Sequence, residues 1–292
     1  MKEKLEFVDN IAVMDLETLQ STYHEYNAQG EPAYNGILHF ALINQILDLC
    51  KKHGLQYKIE EIFAAQNKMK GADGVVVNKQ LQQTLGEDAV GARALRRVFT
   101  TIAIEDHSDS ETNTTIAISH HQMGIQVAIG PNVRICHNQC ILSPERTVTT
   151  YGDRKIKTLD NLFSVVDSWL GNLQVDREAD MAVIETMKDI NTTYDDVMRL
   201  VGYMTAIRVG KDSSINAVRE RINRKTAPLT QGQISAFAEK YLQECIKTGT
   251  TDMSLWDVYN LGTELHKPNS TDLPNIIPQN LSLIETIKEV YL

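Results

Sequence analysis

The fold is decided by residues 97–129, which read RVFTTIAIEDHSDSETNTTIAISHHQMGIQVAI. Within this segment, residues 97–105, 114–119 and 125–129 place an isoleucine, valine or threonine at every second position. That spacing is typical of strands with one buried face, and β-branched residues favour a pleated sheet. We expect 114–119 and 125–129 to form a hairpin around 120–124. We also expect Gly130-Pro131-Asn132 to turn the chain into another short strand at 133–136.

Helical spacing flanks this region on both sides. Leu38, Leu42, Ile46 and Leu49 share one face of a predicted helix, and Gly54 fits its C-terminal end. Residues 57–62 change to strand spacing. Thr158 is a suitable N-cap for a helix over 159–169, and Thr230 precedes another. Further helical segments are predicted at 181–190, 194–207, 215–223, 231–245, 255–266 and 281–291.

These patterns predict an α+β protein, with an N-terminal helix plus an antiparallel sheet followed by a helical C-terminal half. The sheet is expected to come mainly from 56–65 and 97–142, with at most one strand after residue 160. The change of period near residue 150 suggests three parts: an acidic segment at 1–35, a helix-and-sheet region at 36–157 and a helical region at 158–292.

Composition narrows the class of protein. The chain has 292 residues, 42% hydrophobic and 23% charged, and a net charge of -9. This balance is typical of a globular chain, and the acidic excess argues against a general nucleic-acid coat. No run of 18 apolar residues predicts a membrane span. We expect a cytoplasmic protein of a bacterial or phage-infected cell, with Cys50, Cys136, Cys140 and Cys245 as free thiols.

Catalytic motifs for phosphate loops, zinc proteases and serine hydrolases do not occur in the sequence, so we expect neither enzyme activity nor a cofactor. Cys136 and Cys140, near His120 and His121, could hold zinc, but the sequence lacks the second pair of cysteine ligands that such sites commonly have. We therefore expect these cysteines to be structural and metal-free. His120 and His121 fall at the hairpin tip, where neighbours point to opposite faces. One is expected to be buried and the other exposed, in a structural rather than a catalytic role.

A basic segment stands out in this acidic chain. It spans residues 208–225 and carries six cationic side chains against Asp212 and Glu220, for a net charge of +4. A solvated helix face is one explanation, and a surface for phosphates or an acidic partner is the other. The candidate binding residues are Arg208, Lys211, Arg219, Arg221, Arg224 and Lys225.

Two short stretches carry a family resemblance. The first holds Ile118-Ser119-His120-His121, Gly130, Val133-Arg134-Ile135-Cys136 and Asn138; the second holds Leu255-Trp256-Asp257-Val258-Tyr259-Asn260-Leu261 and Thr263. They resemble a family known as phage/plasmid-like proteins, with Ser-His-Asp, Val-x-Cys-x-Asn and Tyr-Asn-x-x-Thr segments. Here His121 replaces the usual Asp. The resemblance implies an origin in a mobile element.

Two functions follow as expectations. The first is a non-enzymatic phage or plasmid protein that acts on DNA as a homo-oligomer, by binding or single-strand annealing. A helix, an antiparallel sheet and a helix over 38–170 are similar in outline to phage annealing proteins. The second is a counter-defence protein that binds and blocks a host protein complex, a role that suits the acidic balance.

Overall fold

The computed structural model describes residues 11–22, 29–32, 34–65, 95–108, 111–133, 138–139, 144–150, 158–209, 227–266 and 273–292. The α+β prediction is confirmed: a helix and an antiparallel sheet come first, and the second half is mostly helical. The predicted segments at 133–136 and 215–223, and both Cys136 and Cys140, lie wholly or largely outside the described residues. The division of the chain into three parts stays a prediction.

The described strands form a seven-stranded sheet in which every pairing is antiparallel. Strands β1 to β6 lie in sequence order, and β7 also pairs with β5. Their bounds are Ile11–Met14 (β1), Tyr57–Ala65 (β2), Arg97–Ser108 (β3), Thr112–His121 (β4), Gly124–Val133 (β5), Asn138–Gln139 (β6) and Thr147–Thr149 (β7). The predicted hairpin is confirmed, with Ile118 opposite Val127 and His121 opposite Gly124.

The described helices are Leu16–Ser21 (α1), His39–Lys52 (α2), Leu159–Gly171 (α3), Leu173–Asp189 (α4), Tyr194–Val209 (α5), Gln231–Thr248 (α6), Leu255–Glu264 (α7) and Ile276–Tyr291 (α8). Both predicted N-caps are confirmed: the Thr158 side chain accepts a hydrogen bond from Asn161 N at 3.2 Å, and Thr230 forms a capping box with Gln233. Gly54 follows α2 with a φ of 68°, as its predicted role requires. No described helix could cross a membrane, since none is both long and apolar enough.

The two faces of the sheet are covered by different helices. One face carries Ile102, Ile116 and Val127 into a core with α2 and α3. The other face carries alanines together with Phe99, and the start of α8 packs there with Ile276 and Ile277 against Ala117 and Ala128. Burial on both sides explains why β4 is buried at all ten of its positions.

A buried ion pair joins the helical half to the edge of the sheet. Arg146, just before β7, donates hydrogen bonds from both of its terminal nitrogens to the Asp180 carboxylate on α4. It also donates a hydrogen bond to Asp176 O at 3.3 Å. The Arg146 side chain is 10% exposed and that of Asp180 is 5% exposed. A buried charge is tolerated only when it is paired, so this contact fixes how the two halves meet.

Two expectations need correction. The chain does not turn at Gly130-Pro131-Asn132, because β5 continues to Val133 and Pro131 lies opposite Thr114. Proline is accepted there because β7 pairs with β5 only at 126–128 and β6 only at 132–133, so no described neighbour needs its missing N–H. More than one strand follows residue 160: Asn191–Thr192 (β8) and Met253–Ser254 (β9) form a small ribbon.

Candidate functional site

Only the first residues of the basic segment 208–225 lie within the described residues. Arg208, near the end of α5, is partly buried and donates from Nη1 to Leu229 O at 3.2 Å, in the loop before α6. The other predicted binding residues, Lys211, Arg219, Arg221, Arg224 and Lys225, lie outside the described residues. Arg208 therefore has a contact within the fold, and its described geometry supports a structural role rather than a free binding surface.

The two neighbouring histidines of the hairpin are both buried, at 1% exposure each. The expectation that one would be exposed is wrong, because helices cover both faces of β4. His120 lies on the face that meets α2, whereas His121 accepts from Met123 N at 3.3 Å and its carbonyl accepts from Asn35. The hairpin tip is thus held by one of its own side chains and by Asn35 from the turn before α2.

His120 is joined to a residue that the sequence did not single out. His39, the first residue of α2, places its Nδ1 atom 2.9 Å from Nδ1 of His120. The remaining ring nitrogens face carbonyl oxygens, with His39 Nε2 at 3.1 Å from Leu95 O and His120 Nε2 at 3.2 Å from Tyr34 O. Tyr34 stacks on His39 with ring centroids 5.7 Å apart.

This histidine pair disfavours charge. Burial, and after it the neighbouring His39 ring, hold the pKa of His120 well below its ordinary value. The start of α2 adds to the effect, since a helix N-terminus repels cations. Both rings are buried, so neither presents a base to solvent.

The thiols that are described show no reactive setting. Cys50 and Cys245 are free, and burial raises the pKa of the Cys50 thiol to about 11. Among the described residues no group of three or more His, Cys, Asp or Glu side chains could hold a metal ion.

An open acidic cleft lies in the helical half, beside the β8–β9 ribbon. It has a volume of about 460 Å³ and is formed by the end of α6, the ribbon and α7. Four carboxylates line it: Glu244, Asp252, Asp257 and Glu264. Its other lining residues are mainly polar, and they include Asn191, Thr248, Thr250, Ser254 and Asn260.

Local chemistry explains how the cleft is shaped. Gly249 ends α6 with a φ of 73°, which lets the chain reverse towards the ribbon. Ser254 then caps α7: its hydroxyl donates to Asp257 Oδ2 at 2.7 Å and accepts from Asp257 N. Tyr241 donates to Thr251 O at 2.6 Å and fixes the loop between the two helices.

The cleft carries a net negative charge. Glu264 pairs with Lys240 at 2.8 Å and Glu244 with Lys247 at 3.1 Å, so two of its four carboxylates have a lysine partner. The same excess extends over the described residues from 158 onward, which hold sixteen Asp and Glu against seven Lys and Arg, a difference of −9. Such a surface attracts cationic groups and repels phosphates.

The acidic cleft was not found from the sequence. Its carboxylates come from α6, α7 and the ribbon, and Asn191 joins them from a distant position. The one available signal was Ser254 followed by Asp257, which predicts a helix start but not a cleft. Comparison with protein-family models, curated proteins and solved structures returns no match to the chain.

Proposed function

We propose that this is a non-enzymatic, cytoplasmic protein that acts by binding another protein, with the acidic cleft receiving a basic segment of that partner. A counter-defence protein of a phage or plasmid that blocks a host complex would act in this way. The observation that supports the proposal is the open cleft with four carboxylates, set in an acidic helical half. Complementary charge raises the association rate and excludes partners of like charge.

The test uses a defined probe, a fluorescent peptide of alternating lysine and glycine, with a serine–glycine peptide as its neutral counterpart. The cleft variant replaces Glu244 by Gln and Asp252 by Asn. Its matched control, Asp195→Asn with Glu239→Gln, removes the same charge from exposed positions outside the cleft.

The wild type should bind the lysine peptide, more weakly as salt rises, and the cleft variant should bind it roughly 3- to 30-fold more weakly. The control variant should bind it less than about twofold more weakly. Equal effects in both variants would show that only overall charge matters, and the cleft would then have no special role.

Binding to nucleic acid is the second candidate, supported by the charge of residues 208–225. Replacement of Arg219, Arg221 and Arg224 by Ala should then weaken binding of single-stranded DNA and make its salt dependence shallower, by about 0.7 in slope for each phosphate that is no longer neutralised. Light scattering of the same samples tests the proposed homo-oligomer. If single-stranded DNA binds the wild type and the triple variant equally at every salt concentration, the DNA proposal is rejected.

A further inference from the structure

We propose that His39 and His120 form a proton-operated latch that fastens the turn at 34–37 to the tip of the β4–β5 hairpin. The pair connects three parts of the chain: the first turn of α2, the end of β4 and the segment that leads into β3. The proposal rests on how many protons these contacts require.

Three polar contacts surround the two rings. Leu95 O and Tyr34 O can only accept, so His39 Nε2 and His120 Nε2 must each carry a proton to bond them. The two Nδ1 atoms, 2.9 Å apart, need one more proton between them. Two imidazoles with three protons carry one positive charge. A neutral pair has only two protons for the three contacts. In one contact, two lone pairs must therefore face each other with no proton between them.

The contact to Tyr34 is the one that the neutral pair gives up. It is the longest of the three, and Tyr34 begins an exposed turn in which Asn35 and Gly36 have φ values of 57° and 72°. Its carbonyl also accepts from Ile37 N at 3.3 Å, so it moves away from His120 together with the turn, whereas Leu95 is buried. The third proton therefore belongs on His120 Nε2, where it donates to Tyr34 O and closes the latch.

The surroundings set the pH at which this happens. His121 is adjacent on β4, Tyr34 stacks on His39, Arg96 and Arg97 lie beside Leu95, and exposed Glu31 precedes the turn. The first turn of α2 has no acidic residue. His39 and His121 both disfavour a charge on His120, and burial does so more strongly. Closure thus occurs below the pH at which an exposed histidine titrates, which is about 6.5.

This mechanism predicts two opposite effects of acid. An unfolded chain takes up a proton on each of the two histidines, whereas the native pair takes up one, so overall stability falls below a pH of about 6.5. In the native protein, however, the same acid fastens the turn. A histidine that is merely buried would give only the first effect.

Hydrogen exchange of peptides covering 34–40, corrected for the intrinsic dependence on pH, measures the latch directly. Between about pH 7.5 and the lowest pH at which the protein remains folded, protection of the turn should rise by roughly 3- to 10-fold, the factor that one added hydrogen bond supplies. His39→Gln and His120→Gln should each abolish the rise. His53→Gln is the matched control, because His53 pairs with Asp167 on α3 and lies outside the latch, so its rise should remain.

If both latch variants fail to fold, nitrogen NMR of the histidine rings in the wild type decides. The latch predicts one joint titration in which the pair gains a single proton on Nε2 of His120, while another proton stays between the two Nδ1 atoms in both states. Protection that does not change with pH in the wild type, or a pair that stays neutral until the protein unfolds, would overturn the proposal.

Discussion

Strand β4 buries all ten of its residues, including threonines, an asparagine and both histidines, whereas the four carboxylates of the acidic cleft are partly or fully exposed. The polar side chains of β4 thus each have at least one hydrogen-bond partner inside the fold, and the helical half leaves charge available for a partner. A buried polar group costs stability when its partner is removed, but an exposed charge costs little. Substitutions in the two regions should therefore separate into effects on folding and effects on binding.

The largest effect is expected at the ion pair that joins the two halves. Asp180→Ala leaves Arg146 as a buried charge without its carboxylate and should lower the free energy of unfolding by about 3–5 kcal/mol. The double variant Arg146→Met with Asp180→Leu should recover most of that stability, since it removes both charges. Urea unfolding measures the free energy of unfolding of the wild type, Asp180→Ala and the double variant. Asp189→Ala, an exposed position on the same helix, is the control and should change stability by less than about 0.5 kcal/mol.

A pair of helical glycines tests packing within the helical half. A Cβ added at Gly262 on α7 would lie 2.7 Å from Leu283 Cδ2 on α8, so Gly262→Ala should cost about 1–3 kcal/mol. Gly202 on α5 is exposed, with nothing within 4 Å of the added atom. Gly202→Ala should therefore stabilise the helix by roughly 0.5–1 kcal/mol. Thermal unfolding should move in opposite directions for the two variants; a shift in the same direction would show that α7 and α8 do not pack so closely.

The third prediction concerns pH. The folded pKa of His120 is lowered by burial and by His39, so this residue stabilises the protein above its unfolded pKa of about 6.5. That contribution decreases as the pH falls below about 6.5, by at most about 1.4 kcal/mol per pH unit for each proton. Urea unfolding at several pH values should show a shallower acid dependence for His120→Gln than for the wild type. Equal slopes would mean that carboxylates alone determine how the free energy of unfolding depends on acid pH.

The smallest effect on stability is expected at the cleft. Glu244→Gln with Asp252→Asn should change the free energy of unfolding by less than about 0.5 kcal/mol, because both side chains lie on an open surface. Together with weaker peptide binding, this would separate binding from folding. If the variant instead unfolds more easily by more than about 1 kcal/mol, these carboxylates support the fold and the comparison between the two regions fails.

Local chemistry was readable from the sequence, whereas distant contacts were not. Thr158 and Thr230 were predicted as caps because a cap needs only neighbouring residues. His39 and His120 are 81 positions apart, and Arg146 and Asp180 are 34 apart. Nothing in the local spacing of such residues shows that they meet. Pro131 was wrongly predicted to lie in a turn, because the local sequence Gly-Pro-Asn favours one. In the structure the sheet accommodates this proline within β5.

Pro131 also has a consequence for how this protein behaves when crowded with copies of itself. The outer side of β5 is shared by two short strands, β7 at 126–128 and β6 at 132–133, and Pro131 lies between them. A strand without an N–H at that position cannot offer a continuous ladder to a strand from another molecule. The proline thus interrupts the ladder that this side of β5 could offer to a strand from another molecule. Pro131 would therefore affect resistance to aggregation rather than the free energy of unfolding.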